Sequence, residues 1–233
     1  MSMRIVWAGP WGERSPIAAF GARVVAALLS RGHTVDVVRT ESGWAARSRP
    51  YPTAVSVRPW NAAAVRELVR TSDAFIVNLS DDYRSCGAMF PDYQKLGALG
   101  IFHDSALRRL AAGWAGTLPN RRAVREAIGD ADAWCAASLA GALVHRAENL
   151  AVIEAACAGP VHFVPQPPDL QSGGSFESYV DTVLGLLDDV IARRPTIMAG
   201  AEIGRILSSF GLAQDSPQVD ELSARVASLL SLP

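Results

Sequence analysis

Three short polar segments carry the side chains that could do chemistry, and each directly follows an apolar run. The first is the segment 9–16, in which Gly12, Glu13, Arg14 and Ser15 lie between a predicted strand and a predicted helix. Arg14 and Ser15 are donors at the helix entrance, where free backbone N–H groups and the helix dipole favour anions, and Gly12 would let a ligand approach the backbone. The segment has neither the GxGxxG nor the phosphate-loop motif, so we expect a ligand-lining loop without a dinucleotide. The alternative is an ordinary loop whose glycines only make the turn.

The second segment is His103-Asp104, at the end of another predicted strand and before a helix. Ligands bind at this edge of an open parallel sheet. His103 could donate a hydrogen bond to a sugar hydroxyl or a phosphate oxygen, while Asp104 could cap the helix and orient the imidazole. The alternative is a histidine with a purely structural role.

The third segment, 78–84, contains Asp81, Asp82 and Arg84 after a further apolar run. These side chains could meet the hydroxyls of an acceptor molecule, or they could form a solvated loop that caps the next helix, which is the interpretation we favour. Asp130-Ala-Asp132 matches a bare metal-binding DxD motif, but it precedes a predicted strand, so we expect a turn. No His, Cys and carboxylate spacing indicates a metal site, and no nucleophile motif occurs.

The elements that must position these segments alternate between strand and helix. Most apolar runs are apolar on both faces, which is typical of parallel strands covered by helices. We therefore predict an α/β fold: a single Rossmann-like, doubly wound parallel sheet with a helical C-terminal tail. The predicted strands are Arg4–Ala8, Thr34–Val38, Ala54–Val57, Ala74–Leu79, Gly100–Phe102, Ala133–Ala136 and Val161–Val164. The predicted helices are Ile17–Ser30, Asn61–Thr71, Ser85–Leu96, Ser105–Gly113, Arg121–Ile128 and Ser138–Ala156.

The pattern changes near Pro165, where prolines and glycines predict a linker up to Ser175. We expect a Rossmann-like domain over 1–168 and a helical extension over 175–233. A helix beginning after Ser175 has an apolar stripe, and two further helices are predicted at 197–210 and 217–230. These stripes must pack onto the sheet or onto another chain.

Composition sets bounds on partners and compartment. The chain has 233 residues, a net charge of −1 and 22 basic residues that we take as scattered, so we expect no nucleic-acid partner. The three cysteines lack metal or disulfide spacing and are expected to be reduced thiols. No apolar run is long enough to span a membrane, and a cytoplasmic location is expected.

Several segments, taken in order, resemble the N-terminal, acceptor-side domain of GT-B glycosyltransferases, especially retaining enzymes that use nucleotide sugars. The resemblance rests on the segments 3–10, 31–38, 72–78, 97–104 and 160–165, with Ser138 between the last two, and it covers about 165 residues. It implies that Gly12 borders the substrates and that His103 lies near the transferred sugar. Many relatives carry a further histidine where this chain has Ser85-Cys86-Gly87.

The resemblance also implies a donor-binding domain that this sequence does not show. Family members commonly hold the nucleotide sugar with two glutamates eight positions apart, and no two glutamates in this chain have that spacing. The helix after Ser175 resembles the family's terminal helix, which packs back against the N-terminal domain.

Three functions fit these observations. The first is a glycosyltransferase-like half-enzyme that binds a sugar or glycan acceptor, with a nucleotide sugar as co-substrate and no other cofactor. Its donor site would come from a transferase subunit or from a homodimer formed through the C-terminal helices. The second is a non-catalytic binding or scaffold module with the same fold. The third is an unrelated doubly wound protein that binds a small anionic metabolite at the segment 9–16.

Overall fold

One parallel sheet organises the protein. In a computed structural model, which describes residues 2–90, 92–166 and 176–193, every strand pairing in this sheet is parallel. Its seven strands are β1 (Arg4–Gly9), β2 (Thr34–Arg39), β3 (Val57–Pro59), β4 (Ala74–Leu79), β5 (Leu99–Phe102), β6 (Gly141–Val144) and β7 (Val161–Phe163). The predicted α/β, Rossmann-like fold class is confirmed.

The strand order is β3-β2-β1-β4-β5-β6-β7. The order therefore reverses between β1 and β4: the chain first builds outward from β1 toward β3 and then returns to build outward from β4. Ligands of doubly wound sheets bind at such a switch point, beyond the carboxyl ends of the strands. Two of the three polar segments directly follow β1 and β4.

Helices cover both faces of the sheet. They are α1 (Pro16–Ser30), α2 (Ala62–Arg70), α3 (Tyr83–Cys86), α4 (Arg108–Ala115), α5 (Arg121–Ile128), α6 (Ala131–Ala136), α7 (Leu150–Ala156) and α8 (176–193). Local chemistry sets the start of α1, because the Ser15 side chain accepts from the Ala18 N–H and Pro16 occupies the first turn. Asn61 caps α2 in the same way, by accepting from Ala64.

Alternate residues of the five inner strands enter two separate apolar cores. Ile5 and Trp7 of β1 pack with α1 and α8 on one face. Val6 and Ala8 pack with buried residues of α2, α3, α4, α6 and α7 on the other. This period of two is the pleat of a strand that is buried on both sides.

Helix α8 is a brace on the α1 face. Its buried side chains join the core of β1 and β4, and they are Phe176, Tyr179, Val180, Val183, Leu186, Leu187 and Val190. Arg31, which follows α1, donates to Glu177 at 2.6 Å and to Asp181 at 2.8 Å. The apolar stripe of α8 thus packs onto the sheet of its own chain. The helices predicted at 197–210 and 217–230 lie outside the described residues.

The sequence prediction fails between 130 and 149, whereas α7 lies within the predicted helix and ends where that helix was predicted to end. The segment predicted as a strand at Ala133–Ala136 is helix α6, because the Asp130 carboxylate accepts from the N–H groups of Asp132 and Ala133 and starts a helix there. The expectation of a turn before a strand at Asp130 is wrong for the same reason. The true strand is β6, inside the segment predicted as a helix over Ser138–Ala156. A short apolar run such as 141–144 fits a buried strand or a helical segment equally well.

The brace can be tested by shortening one of its buried side chains. Leu187→Ala should lower the free energy of unfolding by about 2–4 kcal/mol, because Leu187 is fully buried and its removal leaves a cavity. Asp189→Ala, on the exposed side of α8, should change it by less than about 0.5 kcal/mol. Urea titration measures both, and equal effects would contradict the packing of α8 on this core.

Candidate functional site

A cleft of about 620 Å³ lies at the carboxyl ends of β1, β2 and β4. Three loops form its walls: the loop before α1, the segment after β2 and the start of α3. The lining residues are Pro10, Gly12, Glu13, Arg14, Ser15, Glu41, Trp44, Ala45, Ser48, Arg49, Asp82, Arg84 and Ser85. It is therefore the crevice that the strand order predicts.

Backbone pairing joins the first two walls. Gly12 forms an isolated antiparallel bridge with Pro50. The N–H of Glu13 donates to the Arg49 carbonyl at 2.8 Å, and the N–H of Tyr51 donates to the Trp11 carbonyl at 2.7 Å. These bonds hold Glu13, Arg14 and Arg49 on one continuous strip of the cleft.

A buried ion pair shapes the wall after β2. Arg39 donates from Nε to Glu41 Oε2 at 3.3 Å and from Nη1 to the Ser48 carbonyl at 3.0 Å. Its Nη2 also donates to Ser48 Oγ and to the Ala45 carbonyl. Glu41 Oε1 accepts from the Trp11 N–H at 2.7 Å, so the same pair ties this wall to the loop before α1. Sequence inspection missed Arg39, because nothing local shows that a charged residue ending a strand is buried.

The two glycines of the first loop make room for protein side chains. A Cβ on Gly12 would lie 2.7 Å from Ser48 Oγ and 3.1 Å from Glu41 Oε1. A Cβ on Gly9 would lie 2.9 Å from the Asn78 Cβ. At both positions, side chains of the protein itself occupy the space that a side chain other than that of glycine would fill. Gly12 also lines the cleft.

The cleft presents arginines and one exposed indole. Trp44 is 67% exposed, and the guanidinium of Arg84 lies 5.6 Å from the centre of its ring. Among the residues that the structure describes, no carboxylate forms an ion pair with Arg14, Arg49 or Arg84. This arrangement can hold a ligand that has an apolar face and an anionic or hydrogen-bonding edge.

Asp82 caps the next helix, as the favoured interpretation of its segment predicts, whereas Asp81 binds the start of a later helix. Asp82 accepts from the Arg84 N–H and from Ser85 Oγ at the start of α3. Asp81 accepts from the N–H groups of Arg109 and Leu110 at the start of α4. Only Asp82 also lines the cleft.

Asp104 does not have the local role expected for it. Its carboxylate accepts from the Asp81 N–H at 2.7 Å, and α4 has no side-chain cap at its N-cap residue Leu107. Asp81 and Asp132 accept from the first N–H groups around α4 instead, so Asp104 fixes the preceding loop. The imidazole of His103 is oriented by another residue, Asn78.

His103 is buried behind the switch point and is not part of the cleft lining. It is 6% exposed, and its Nε2 lies 3.0 Å from Asn78 Oδ1. The Asn78 amide nitrogen donates to the Ala8 carbonyl at 3.0 Å, so its oxygen accepts from the Nε2–H of His103. Burial and the neighbouring His145 lower the pKa of His103 well below its usual range, which keeps the ring neutral.

A second buried histidine lies against the first. The rings of His103 and His145 meet edge to face at 4.7 Å between centroids, and Phe20 of α1 packs on both. His145 Nε2 lies 3.0 Å from the hydroxyl of Tyr179 on α8. Burial, with a smaller contribution from Arg146, lowers the pKa of His145 to about 4. The sequence gave no sign of the contact between His145 and His103, because the segment that forms β6 was predicted as a helix.

The structure thus separates the predicted site residues into two groups. Gly12, Glu13, Arg14, Ser15 and Asp82 line the cleft, while Asp81, Asp104 and His103 lie outside its lining. The described part of the chain holds no group of three or more His, Cys, Asp or Glu residues placed to bind a metal ion. None of the helices in the described ranges is both long and apolar enough to cross a membrane.

Gly12→Ala tests the close approach beneath the cleft. It should lower the free energy of unfolding by about 1–3 kcal/mol, because the added methyl displaces Ser48 and disturbs the Arg39–Glu41 pair. Removing the Ser48 hydroxyl in the same chain, as Ser48→Ala, should recover part of that loss. Gly185→Ala on α8, where an added Cβ has nothing within 4 Å, is the matched control and should be neutral or stabilising. Additive effects of Gly12→Ala and Ser48→Ala in urea titrations would contradict the steric account.

The buried histidines predict a loss of stability in acid. Both rings have lowered pKa values when folded, so their contribution is complete above about pH 6.5, the ordinary pKa of histidine, and falls as the pH drops toward 4. For His145 alone the loss by pH 4 is roughly 3 kcal/mol. His145→Gln should flatten this pH dependence in urea titrations, whereas His162→Gln, at an exposed position, should leave it unchanged. An unchanged slope in His145→Gln would contradict the assignment.

Comparison with known proteins gives a likeness in fold alone. No protein-family model and no curated protein matches this chain. One similar solved structure is an alpha-glucosyltransferase in complex with UDP and a 13-mer DNA containing an HMU base, with a TM-score of 0.43, 16% identity, and coverage of 72% of this chain and 43% of that one. Another is an alpha-glucosyltransferase with UDP and a 13-mer DNA containing a central A:G mismatch, with a TM-score of 0.37, 16% identity, and coverage of 63% and 38%. This chain therefore spans less than half the length of either.

The expectation that nucleic acid is excluded as a partner is wrong. Both of these solved structures contain DNA. The premise of that expectation was also incorrect, because the basic residues are not evenly scattered along the sequence. The stretch 108–125 contains five arginines and no acidic residue: Arg108, Arg109, Arg121, Arg122 and Arg125. A net charge near zero averages over such a surface and excludes no class of partner.

Proposed function

We propose that this protein is the acceptor-side half of a sugar-transferring system, in which the cleft binds a sugar or glycan acceptor. A nucleotide sugar bound by a separate donor-binding unit would supply the transferred sugar. The acceptor hydroxyl would form the new glycosidic bond and lose its proton, and the nucleoside diphosphate would leave. The observation that carries the proposal is the composition of the cleft at the switch point.

The lining of this cleft suits a carbohydrate. The face of an exposed indole such as Trp44 is electronegative and apolar, and it attracts the C–H groups on the flat side of a sugar ring. Around it, Glu13, Arg14 and Ser15 offer acceptors and donors for hydroxyl groups. A volume of about 620 Å³ accommodates one or two sugar rings.

His103 has a positioning role in this proposal. Its Nε2–H holds Asn78, and Asn78 in turn holds the carbonyl of Ala8 next to the cleft loop. Direct contact between His103 and a transferred sugar, which the family resemblance implies, stays a prediction. A neutral imidazole with its Nδ1 unprotonated would act there as a hydrogen-bond acceptor.

The donor-binding unit is proposed as a separate polypeptide. Stabilising a departing nucleoside diphosphate needs cations and N–H donors placed around the phosphates. Arg14 and Arg84 can supply part of that charge from this side of the cleft. A second copy of this chain remains one candidate for the unit, and light scattering on the purified protein decides whether such a dimer forms.

Acceptor binding is tested with a saccharide panel measured by titration calorimetry and saturation-transfer NMR. At least one sugar should bind, and Trp44→Ala should weaken it by about tenfold, which corresponds to the loss of one aromatic contact. Phe163→Ala removes an aromatic side chain that is also exposed, at 43%, but lies outside the cleft, and it should leave binding unchanged.

Two results would contradict the proposal. Binding of no saccharide, or equal weakening by Trp44→Ala and Phe163→Ala, would remove the cleft as an acceptor site. If a sugar binds as expected and no co-purified or added donor-binding subunit ever produces transfer, the non-catalytic module with the same fold is favoured.

A further inference from the structure

The charges around the cleft do not balance once internal bonds are taken into account. Of the three carboxylates in the lining, Glu41 is 7% exposed and forms an ion pair with the buried Arg39. Its other oxygen accepts from the Trp11 N–H. Glu41 is therefore neutralised from within and has no free oxygen for a ligand.

A second lining carboxylate is also occupied. Both oxygens of Asp82 accept hydrogen bonds at the start of α3, one from the Arg84 N–H and one from Ser85 Oγ. Each oxygen of Asp82 therefore already has a partner within the protein. Glu13 is the remaining carboxylate of the lining.

The three lining arginines are not neutralised in this way. Arg14, Arg49 and Arg84 are exposed, and within 2–90, 92–166 and 176–193 they form no ion pair. Arg84 contacts only the face of Trp44 among the aromatic rings described. Against Glu13 and Asp82 they leave one positive charge in excess, and the amino end of α1 adds a partial positive charge at Ser15.

We infer that the acceptor of this cleft carries an anionic group, a phosphate or a carboxylate attached to a sugar. This inference rests on the proposed function and names the substrate class of the same site. A guanidinium binds both oxyanions through paired N–H donors. The anionic group would be held by Arg14 and Arg49, which lie on the paired strip of the two walls. Trp44 would contact the ring.

The experiment compares matched ligands by titration calorimetry: glucose, glucose 6-phosphate, glucuronate and inorganic phosphate. At least one anionic sugar should bind tenfold or more tightly than glucose, and its affinity should fall as salt is raised. The phosphate and carboxylate arms distinguish the two sources of charge. Should the chosen ring fit poorly, the same comparison is made with whichever sugar the saccharide panel identifies.

Variants that remove one positive charge test which arginines bind the anionic group. Arg49→Gln and Arg14→Gln should each weaken the anionic sugar by at least fivefold more than they weaken the neutral sugar. Arg66→Gln, at an exposed position on α2 outside the cleft, is the control and should change neither. Both arginines are exposed, so these variants are expected to fold.

The outcomes separate this inference from the proposed function. A neutral sugar that binds as tightly as its anionic analogue, or variants that weaken both equally, overturns the anionic acceptor and leaves sugar binding in place. Inorganic phosphate that binds as tightly as every sugar phosphate, with no sugar binding alone, overturns both and favours a small-anion protein.

Discussion

The structure depends on one buried amide at the point where the sheet reverses its strand order. After β1 the chain enters α1 on one face of the sheet, and after β4 it enters α3 on the other face. The backbone hydrogen bonds between β1 and β4 therefore stop at the last paired residues of the two strands. Asn78 fills this gap: it donates to the Ala8 carbonyl and accepts from His103 at the end of β5, both at 3.0 Å. A fully buried amide is stable only when both of its ends are satisfied. Gly9 is required because Asn78 lies against its backbone.

The cleft is built outward from this fixed edge by a second buried polar unit. The Arg39–Glu41 pair would be costly to bury without further bonds, and the further bonds it makes are those that define the cleft walls, to Trp11, Ala45 and Ser48. Internal polar groups are thereby neutralised by one another. The exposed arginines and the indole of Trp44 remain for a ligand. The internal bonds thus hold the walls in place and leave these exposed groups available for binding.

Local patterns in the sequence were sufficient for most of the sheet and insufficient for the site. The strand Ala74–Leu79, which is buried on both faces, and the helix Arg121–Ile128 were predicted with their observed bounds, because each signal lies within the element itself. Strand β6 was missed because a run of four apolar residues shows neither a helical nor a strand period. The contact between His145 and His103 could therefore not be predicted. The polar segments after β1 and β4 indicated the right edge of the sheet. Trp44, Arg39 and Arg49 could not be found, since their importance arises from contacts across loops distant in sequence.

The two buried histidines connect helix α8 to the edge of the sheet on which the cleft is built. His103 touches Asn78, His145 touches Tyr179, and the two rings touch each other and Phe20. A continuous set of buried contacts therefore runs from α8 through the ends of β6 and β5 to the carbonyl of Ala8, directly before the cleft loop. Each ring has to be neutral to remain there, as their lowered pKa values show. Helix α8 thus helps to fix the edge on which the cleft is built, and this role accounts for the burial of two titratable groups.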